Sequence, residues 1–219
     1  MPDLTLVIGN KNYSSWSMRP WLVLRQAEIS FKEVRIPLYW AESAAQLTAW
    51  SPSGKVPALH DGNIKVWDSL AICEYLHERF PEHGLWPADA AARAVARSVS
   101  AEMHAGFGAL REAMSMNIRA RYPGKGRTPE SLADIARILA IWTECRARFG
   151  LGGDFLFGRF SIADAMYAPV VLRFQTYGVE LEGAARVYAD AVLALPALQG
   201  WVADAEAETE RIERFERDE

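Results

Sequence analysis

The chain has 219 residues, half of them apolar and 24% charged, a balance typical of a folded globular protein. Its 24 basic and 28 acidic residues give a net charge of −4, which argues against nucleic-acid binding. Two cysteines, Cys73 and Cys145, lie in helix-like segments, which favours a reducing compartment over disulfides or a thiolate metal site. We find neither a signal-peptide pattern nor an apolar run near about 18 residues, so we expect a cytoplasmic protein without a membrane span.

The first third of the sequence predicts a small α/β unit. Short apolar runs bounded by turns predict strands, and apolar residues at helical spacing after a serine cluster predict a helix. The order is a strand at 4–8, a helix starting among serines 14–17, a strand at 31–38, a hairpin at 56–60 and 64–67, and a helix at 69–80. This β-α-β-β-β-α order begins with a parallel crossover.

Every later segment has a helical period and is rich in alanine. The predicted helices span 89–121, 129–149, 162–177, 184–193 and 196–216. We therefore predict an α/β domain at residues 1–81 and an all-helical domain at residues 88–219. The pairs Glu210–Arg214 and Glu213–Arg217, each four residues apart, predict a solvated face on the last helix.

Three hydroxyl side chains, Ser14, Ser15 and Ser17, lie where the first strand passes into the first helix. Hydroxyl donors at the positive end of a helix can lower the pKa of a bound thiol or hold an oxyanion. The segment lacks a neighbouring base and is not a Gly-x-Ser-x-Gly elbow, so it disfavours a covalent serine nucleophile. Helix capping is the plainer alternative, and Tyr13 is a competing donor on the same loop.

Two further features follow in the same unit. Pro57 opens a strand, which predicts a cis Val56–Pro57 bond and a Val56 backbone free to pair with an extended peptide. A turn without a ligand fits equally well.

Asp68 and Ser69 stand before a helix. A carboxylate could bind the start of this helix, and Asp68 could bind an ammonium group. An Asp-Ser pair in this place is more often only a helix cap.

These features resemble the glutathione transferase superfamily over essentially the whole chain. The run Ser14-Ser15-Trp16-Ser17-Met18-Arg19 resembles the zeta-class signature Ser-Ser-Cys-Ser-x-Arg. Segment 52–57 resembles the cis-proline loop of the family, and segment 68–76 its Glu/Gln-Ser-x-Ala-Ile-x-x-Tyr-Leu helix. Segment 157–164 resembles the second-domain capping box, in which Ser161 and Asp164 have a structural role. The resemblance implies a thioredoxin-like N-terminal domain followed by an all-α C-terminal domain.

The resemblance also implies glutathione as co-substrate, with no metal. Val56 would bind the cysteinyl backbone of glutathione, and Asp68 and Ser69 its γ-glutamyl end. Lys55 and Pro57, on either side of Val56, would belong to the same binding site. The sulfur would meet Ser14 or Ser15: the zeta comparison favours Ser14, which we rank slightly ahead, and theta-like enzymes favour Ser15. The expected partners are a small electrophile and a second copy of the chain in a homodimer, with neither nucleic acid nor membrane.

The sequence departs from the zeta pattern in the second-substrate region. Trp16 replaces the cysteine and would narrow the pocket. Thr176 aligns with the arginine that binds the substrate carboxylate in zeta-class isomerases. Arg173, one turn earlier, could substitute for that arginine, but a surface position is the expectation. The helix at 89–121 is expected to line this pocket with the side chains Met103, His104 and Phe107, with Met114 and Met116 adding soft apolar surface. Core packing is nevertheless the default for most of these five, and a lone histidine such as His104 is usually only packed.

Three functions remain open at this level. The first is a glutathione transferase, in which ionised glutathione attacks a small apolar electrophile. The second is a glutathione-dependent cis-trans isomerase of the maleylacetoacetate type, which the Thr176 substitution weakens. The third is a transferase-fold protein that binds without catalysis, against which the intact serine loop argues.

Overall fold

A computed structural model describes residues 4–216. Its sheet has four strands in the order β2-β1-β3-β4, formed by β1 (Leu4–Ile8), β2 (Lys32–Arg35), β3 (Ala58–Asp61) and β4 (Ile64–Trp67). β1 pairs with β2 in parallel and with β3 in antiparallel, and β3 and β4 form the predicted hairpin. The strand order along the chain is therefore as predicted, although β2 is shorter than the 31–38 expected.

Helices cover both faces of the sheet. α1 (Ser15–Gln26) and α3 (Ser69–Arg79) pack together on one face, where their apolar side chains join the main core. The other face is covered by α2 (Ser43–Trp50), whose Leu47 and Trp50 pack on Val7 and Ala58. The sequence did not predict α2, because most of its residues are exposed and only a narrow apolar stripe reaches the sheet.

The second unit is helical, as predicted, but one helix is much shorter than expected. The helices are α4 (Ala90–Ala105), α5 (Gly108–Ala113), α6 (Pro129–Phe149), α7 (Ile162–Tyr177), α8 (Gly183–Leu193) and α9 (Pro196–Ala207). The continuous helix predicted at 89–121 is wrong: α4 ends at an extended Gly106, and Phe107 then adopts a left-handed φ of 58°. Burial of Phe107 in the core outweighs its helical preference.

The chain after α9 also differs from the prediction. Instead of a solvated helix to residue 216, residues 208–216 cross back over the first unit and contain only a short 3-10 turn at Glu213–Phe215. The carboxylate of Glu208 accepts hydrogen bonds from the backbone N–H groups of Lys11 (2.6 Å) and Asn12 (3.1 Å). Glu210 pairs with Arg35 (2.7 Å) rather than Arg214. Long-range partners thus outcompete the local helical pairs; Arg217 lies outside the described residues.

α7 is the central helix of the molecule and packs on both α1 and α4. Its start is held by the predicted capping box: Asp164 accepts from the backbone N–H (2.8 Å) and the hydroxyl (3.0 Å) of Ser161. Asp164 also accepts from the N–H of Leu156 (3.0 Å). Over the described part of the chain, no helix is long and apolar enough to cross a membrane.

Candidate active site

Ser14 caps α1, and its hydroxyl is already engaged. Its Oγ accepts from the backbone N–H of Ser17 (3.4 Å) and donates to Ser17 Oγ (2.7 Å). Ser17 Oγ in turn accepts from the N–H of Gly9 (3.1 Å), which ties the helix start to the end of β1. The proton of the Ser14 hydroxyl therefore has a protein acceptor.

Ser15, the first residue of α1, has a different environment. Its Oγ is buried and accepts a hydrogen bond from Nη2 of Arg173 at 3.3 Å. Within residues 4–216 no group accepts the proton of the Ser15 hydroxyl, and the side chain lines a cavity. Ser15 can thus donate to a ligand at the positive end of α1.

The loop before β3 has the predicted form. The Val56–Pro57 peptide bond is cis, and Gly54 reverses the chain two residues earlier with a φ of 63°. Among the described residues, neither the N–H nor the C=O of Val56 has a protein hydrogen-bond partner. The Val56 backbone is therefore available to an extended ligand.

Asp68 and Ser69 begin α3, close to this loop. One carboxylate oxygen of Asp68 accepts from the N–H groups of Leu70 (2.9 Å) and Ala71 (3.4 Å), so Asp68 is the helix cap that the sequence allowed. The other oxygen lies 3.1 Å from Nε2 of His104. Asp68 nevertheless keeps 45% of its side chain exposed, so the cap and a ligand contact are compatible.

Two cavities meet at this junction between the α/β unit and the helical unit. The first, here called the polar cavity, has a volume of about 430 Å³, and its lining includes Ser53, Trp67, Asp68, Ser69 and His104. The second, the apolar cavity, has a volume of about 560 Å³, and its apolar lining includes Leu38, Tyr39, Trp40, Leu47, Met116 and Phe215. Trp16, Lys55 and Val56 line both cavities, so Trp16 stands between them.

The helix α4 does not supply the side chains predicted for the second substrate. Met103 is fully buried in the core, and Phe107 is packed into the same core beyond the helix end; neither lines either cavity. His104 lines the polar cavity instead, with its ring edge-on to Trp16 at 5.3 Å between centroids. Of the five candidates on this segment, Met116 reaches the apolar cavity.

Several residues of the apolar cavity were missed at the sequence level. Arg173, predicted to be a surface residue, is 4% exposed and lines this cavity with Arg111 and Ser115. Phe215 enters it from the returning tail, stacked on Tyr13 at 5.7 Å between ring centroids. Two sequence signals pointed to Arg173: its place in a largely apolar helical run, and its position one turn before Thr176.

The two thiols of the chain lie away from both cavities. Cys73 and Cys145 are buried, and burial raises the pKa of both, that of Cys145 to about 12. Neither is therefore suited to act as a nucleophile. The described residues contain no group of three histidine, cysteine or acidic side chains placed to hold a metal ion.

A mixed sheet with helices on both faces, followed by a helical unit and joined to it at a two-part site, defines a thioredoxin-like protein with an added helical domain. The family model for the glutathione S-transferase N-terminal domain matches residues 13–79. The model for the glutathione S-transferase C-terminal domain matches residues 90–204. The chain thus belongs to the glutathione S-transferase family, and it is an enzyme of that family.

Individual relatives agree with this assignment. The chain is 26% identical to glutathione S-transferase Z2 of Arabidopsis thaliana over 214 residues, which cover 91% of this chain and 93% of the relative. It is 26% identical to a probable maleylacetoacetate isomerase of Caenorhabditis elegans, covering 76% and 77% respectively. The match to a zeta-class glutathione S-transferase of Euphorbia esula, at 36% identity, spans only 37% of that relative and 37% of this chain.

Solved structures show the same fold. A glutathione transferase homolog from Burkholderia GL BGR1, crystallised with bound glutathione, superposes with a TM-score of 0.71 at 23% identity, covering 94% of this chain and all of that one. Glutathione transferase Omega 3C from Trametes versicolor gives 0.71 at 25% identity, with coverages of 96% and 87%.

Proposed function

We propose that this transferase binds the γ-glutamyl end of glutathione in the polar cavity and its cysteinyl residue at Val56, which lines both cavities. The thiol then reaches Ser15 in the apolar cavity, where it is ionised and attacks a small electrophile. The new carbon–sulfur bond forms as the electrophile expels a leaving group or accepts the thiolate across a double bond. The observation that carries this proposal is the Ser15 hydroxyl, which lines the apolar cavity at the start of α1. Its oxygen accepts a hydrogen bond from Arg173, and its proton has no acceptor among the described residues.

The geometry supports a placement for each part of glutathione. The unpaired Val56 backbone suits the cysteinyl residue as an added strand, with Lys55 and Pro57 shaping the loop. The exposed part of Asp68 suits the γ-glutamyl ammonium group. The hydroxyl of Ser69 and the start of α3 suit the γ-glutamyl carboxylate.

We assign the thiol contact to Ser15 rather than Ser14, because Ser14 donates to Ser17. A free thiol has a pKa near 8.5, and lowering it by about two units requires roughly 2.7 kcal/mol. One charge-assisted hydrogen bond supplies about 1.5 to 3 kcal/mol, and the helix end about 0.3 to 1 kcal/mol more. A single serine at this helix start is therefore sufficient.

A glutathione-dependent isomerase is the second candidate, and one observation favours it. Arg111 and Arg173 line the apolar cavity, where they could hold an acidic substrate, whereas Thr176 bonds to the carbonyls of Asn117 and Leu172 (both 3.0 Å). The similarity to the probable maleylacetoacetate isomerase points the same way. In that reaction glutathione adds to a double bond, the product rotates about the resulting single bond, and glutathione leaves again.

The test combines glutathione-affinity retention with a chlorodinitrobenzene conjugation assay on wild type, Ser15→Ala and Ser14→Ala. Loss of the donor to the thiolate is expected to lower kcat/KM by about 100-fold in Ser15→Ala. Ser14→Ala serves as the matched control, with a smaller loss because only the cap is weakened. Retention without turnover by the wild type would favour the binding-protein alternative, and an inactive Ser14→Ala beside an active Ser15→Ala would reverse the assignment.

We further propose a role in detoxification of electrophiles, a cytoplasmic location and a homodimer. Two unpaired, buried cysteines are consistent with a reducing compartment, and the family resemblance supports the dimer. Light scattering coupled to size-exclusion chromatography tests the last point, with a dimer mass expected.

A further inference from the structure

Three arginines, two of them buried and one half-buried, gather beside Ser15 and Trp16. They are Arg19 of α1, Arg111 of α5 and Arg173 of α7. The guanidinium carbon of Arg19 lies 4.3 Å from the Trp16 ring centroid, and that of Arg111 lies 5.4 Å from it. Arg173 reaches the same place through its contact with Ser15.

Within the described chain, none of these three arginines forms an ion pair with a carboxylate. Arg111 donates to the carbonyls of Met103 (3.0 Å) and Gly106, and Arg19 donates to Ser69 Oγ at 3.5 Å. The acids near enough to act on the cluster are Asp134, which acts on Arg111, and Asp68, which acts on Arg19. Two further titratable groups act on the cluster: Tyr177 on Arg173 and the buried Cys73 on Arg19.

The cluster is therefore short of negative charge. Burial, followed by repulsion from Arg173 and Arg111, lowers the pKa of Arg19 to about 9. Burial likewise lowers the pKa of Arg173 to about 10, with Arg111 as the next cause. Buried positive charges without partners are costly, and an anion that binds among them relieves that cost.

Arg173 is held rigidly enough to orient Ser15. Its Nε donates to the carbonyl of Met114 at 2.8 Å, its Nη1 to that of Pro169 at 3.5 Å, and its Nη2 to Ser15 Oγ at 3.3 Å. The hydrogen bond to Ser15 occupies the oxygen as an acceptor, which leaves the hydroxyl proton for a ligand. A cation that donates to a hydroxyl also makes that hydroxyl a stronger donor.

We propose that Arg173 is a positioning residue that acts through Ser15, with Arg19 and Arg111 adding positive charge, to keep bound glutathione in its thiolate form. The S–H bond of glutathione breaks, its proton passes to solvent, and the negative charge stays on the sulfur, which accepts the Ser15 hydrogen bond. The inference rests on the proposed function, because it requires the glutathione sulfur to lie at Ser15.

The test is a pH titration of the ultraviolet thiolate absorbance of glutathione bound to wild type and to Arg173→Gln, with bound S-methylglutathione as blank. The thiol pKa is expected to rise by about one unit in Arg173→Gln, which lowers the thiolate fraction about tenfold below that pKa. The pH profile of kcat/KM should shift in the same direction and converge with wild type at high pH. Arg148→Gln, an exposed arginine on α6, is the matched control and should leave both curves in place.

Two comparisons separate this role from a purely structural one. A structural role would weaken binding of glutathione and S-methylglutathione equally and leave the thiol pKa unchanged, and that result would overturn the proposal. In a Ser15→Ala background, Arg173→Gln should add much less to the pKa shift than it does alone, because the two residues act together. Fully additive shifts would contradict action through Ser15.

Folding is checked first, by circular dichroism and thermal unfolding, since Arg173 also holds two backbone carbonyls. If Arg173→Gln does not fold, Arg111→Gln replaces it: a smaller upward shift supports the charge cluster, and no shift overturns it. A wild type that retains no glutathione and forms no bound thiolate would refute the proposed function itself. A wild type that forms the thiolate while the arginine variants keep the same pKa would refute only this inference.

Discussion

The polar and apolar cavities are neighbours, yet they are assembled in different ways. The polar cavity is lined mainly by two short segments, 53–57 and 67–69, which lie near each other in the chain. The apolar cavity draws on segments as distant as the α1 loop, α2, α5, α7 and the returning tail. Short-range segments carry recognisable motifs, whereas a surface built from distant segments has no local signature.

The two cavities also differ in charge. The polar cavity contains side chains of both signs, because Asp68 and Lys55 both line it, and Asp68 also lies 3.1 Å from Nε2 of His104. In the apolar cavity, Arg111 and Arg173 have no carboxylate partner among the residues described. The polar cavity therefore suits a zwitterionic head group. In the apolar cavity, the positive charge of the two arginines can stabilise an anion that takes part in the reaction.

The largest expected effect concerns α7, which supplies Arg173 to the apolar cavity and packs on α1 and α4. Asp164→Ala removes the acceptor for the N–H groups of Leu156 and Ser161, and two unsatisfied buried donors should lower the free energy of unfolding by about 3 kcal/mol. Urea denaturation measures this loss. The exposed Asp190→Ala on α8 should change it by less than about 0.5 kcal/mol. Equal losses in the two variants would show that the capping box is not what holds α7.

Next in size is the effect of Asp68→Ala on the polar cavity. Loss of a charge partner for the glutathione ammonium group should raise the KM for glutathione by about 30-fold and leave the KM for the electrophile nearly unchanged. Steady-state kinetics with each substrate varied in turn measures both values. Asp89→Ala is a matched control for the lost cap, because Asp89 caps α4 away from both cavities. If both KM values rose together, the division between the two cavities would be wrong.

Phe215→Ala in the tail is expected to have a smaller effect, on the KM for the electrophile instead of the KM for glutathione. Phe215 lines the apolar cavity between Tyr13 and Tyr39, so its loss should raise the KM for an aromatic electrophile by about tenfold and spare that for glutathione. The fully exposed Leu151→Ala is the control for loss of an apolar side chain. An unchanged electrophile KM in Phe215→Ala would remove the tail from the site.

The smallest expected effect is that of His104→Ala on the KM for glutathione, which tests the place of His104 in the polar cavity. Because His104 holds Asp68 and lies edge-on to Trp16, His104→Ala should raise the KM for glutathione about threefold and leave that for the electrophile unchanged. His83→Ala, on the surface beside Glu82, provides the comparison. The reverse pattern would restore the sequence-based expectation that His104 lines the second-substrate pocket.

Particular residues show which parts of the structure could be predicted from the sequence. The cis bond before Pro57, the cap at Asp68 and the box at Ser161 and Asp164 were all predicted, because each depends on residues only a few positions apart. For Met103 the sequence left both the core and the pocket open, and the structure buries it in the core; a helical period shows that one face is buried but not which element it packs against. Arg173 was misplaced because an arginine in an apolar helix normally implies a solvent-exposed edge.

By itself, then, the sequence determined the order of strands along the chain, the helical character of the second unit and the family. It also determined the cis bond before Pro57 and the cap at Asp68, since all of these follow from periodicity, motifs, caps and turns within short spans. Only the tertiary structure decided that Ser14 is bound to Ser17 while Ser15 keeps its proton. It alone brought Arg173 and the tail to the serine loop. The physical reason is that hydrogen-bond partners and burial depend on segments that fold together from opposite ends of the chain.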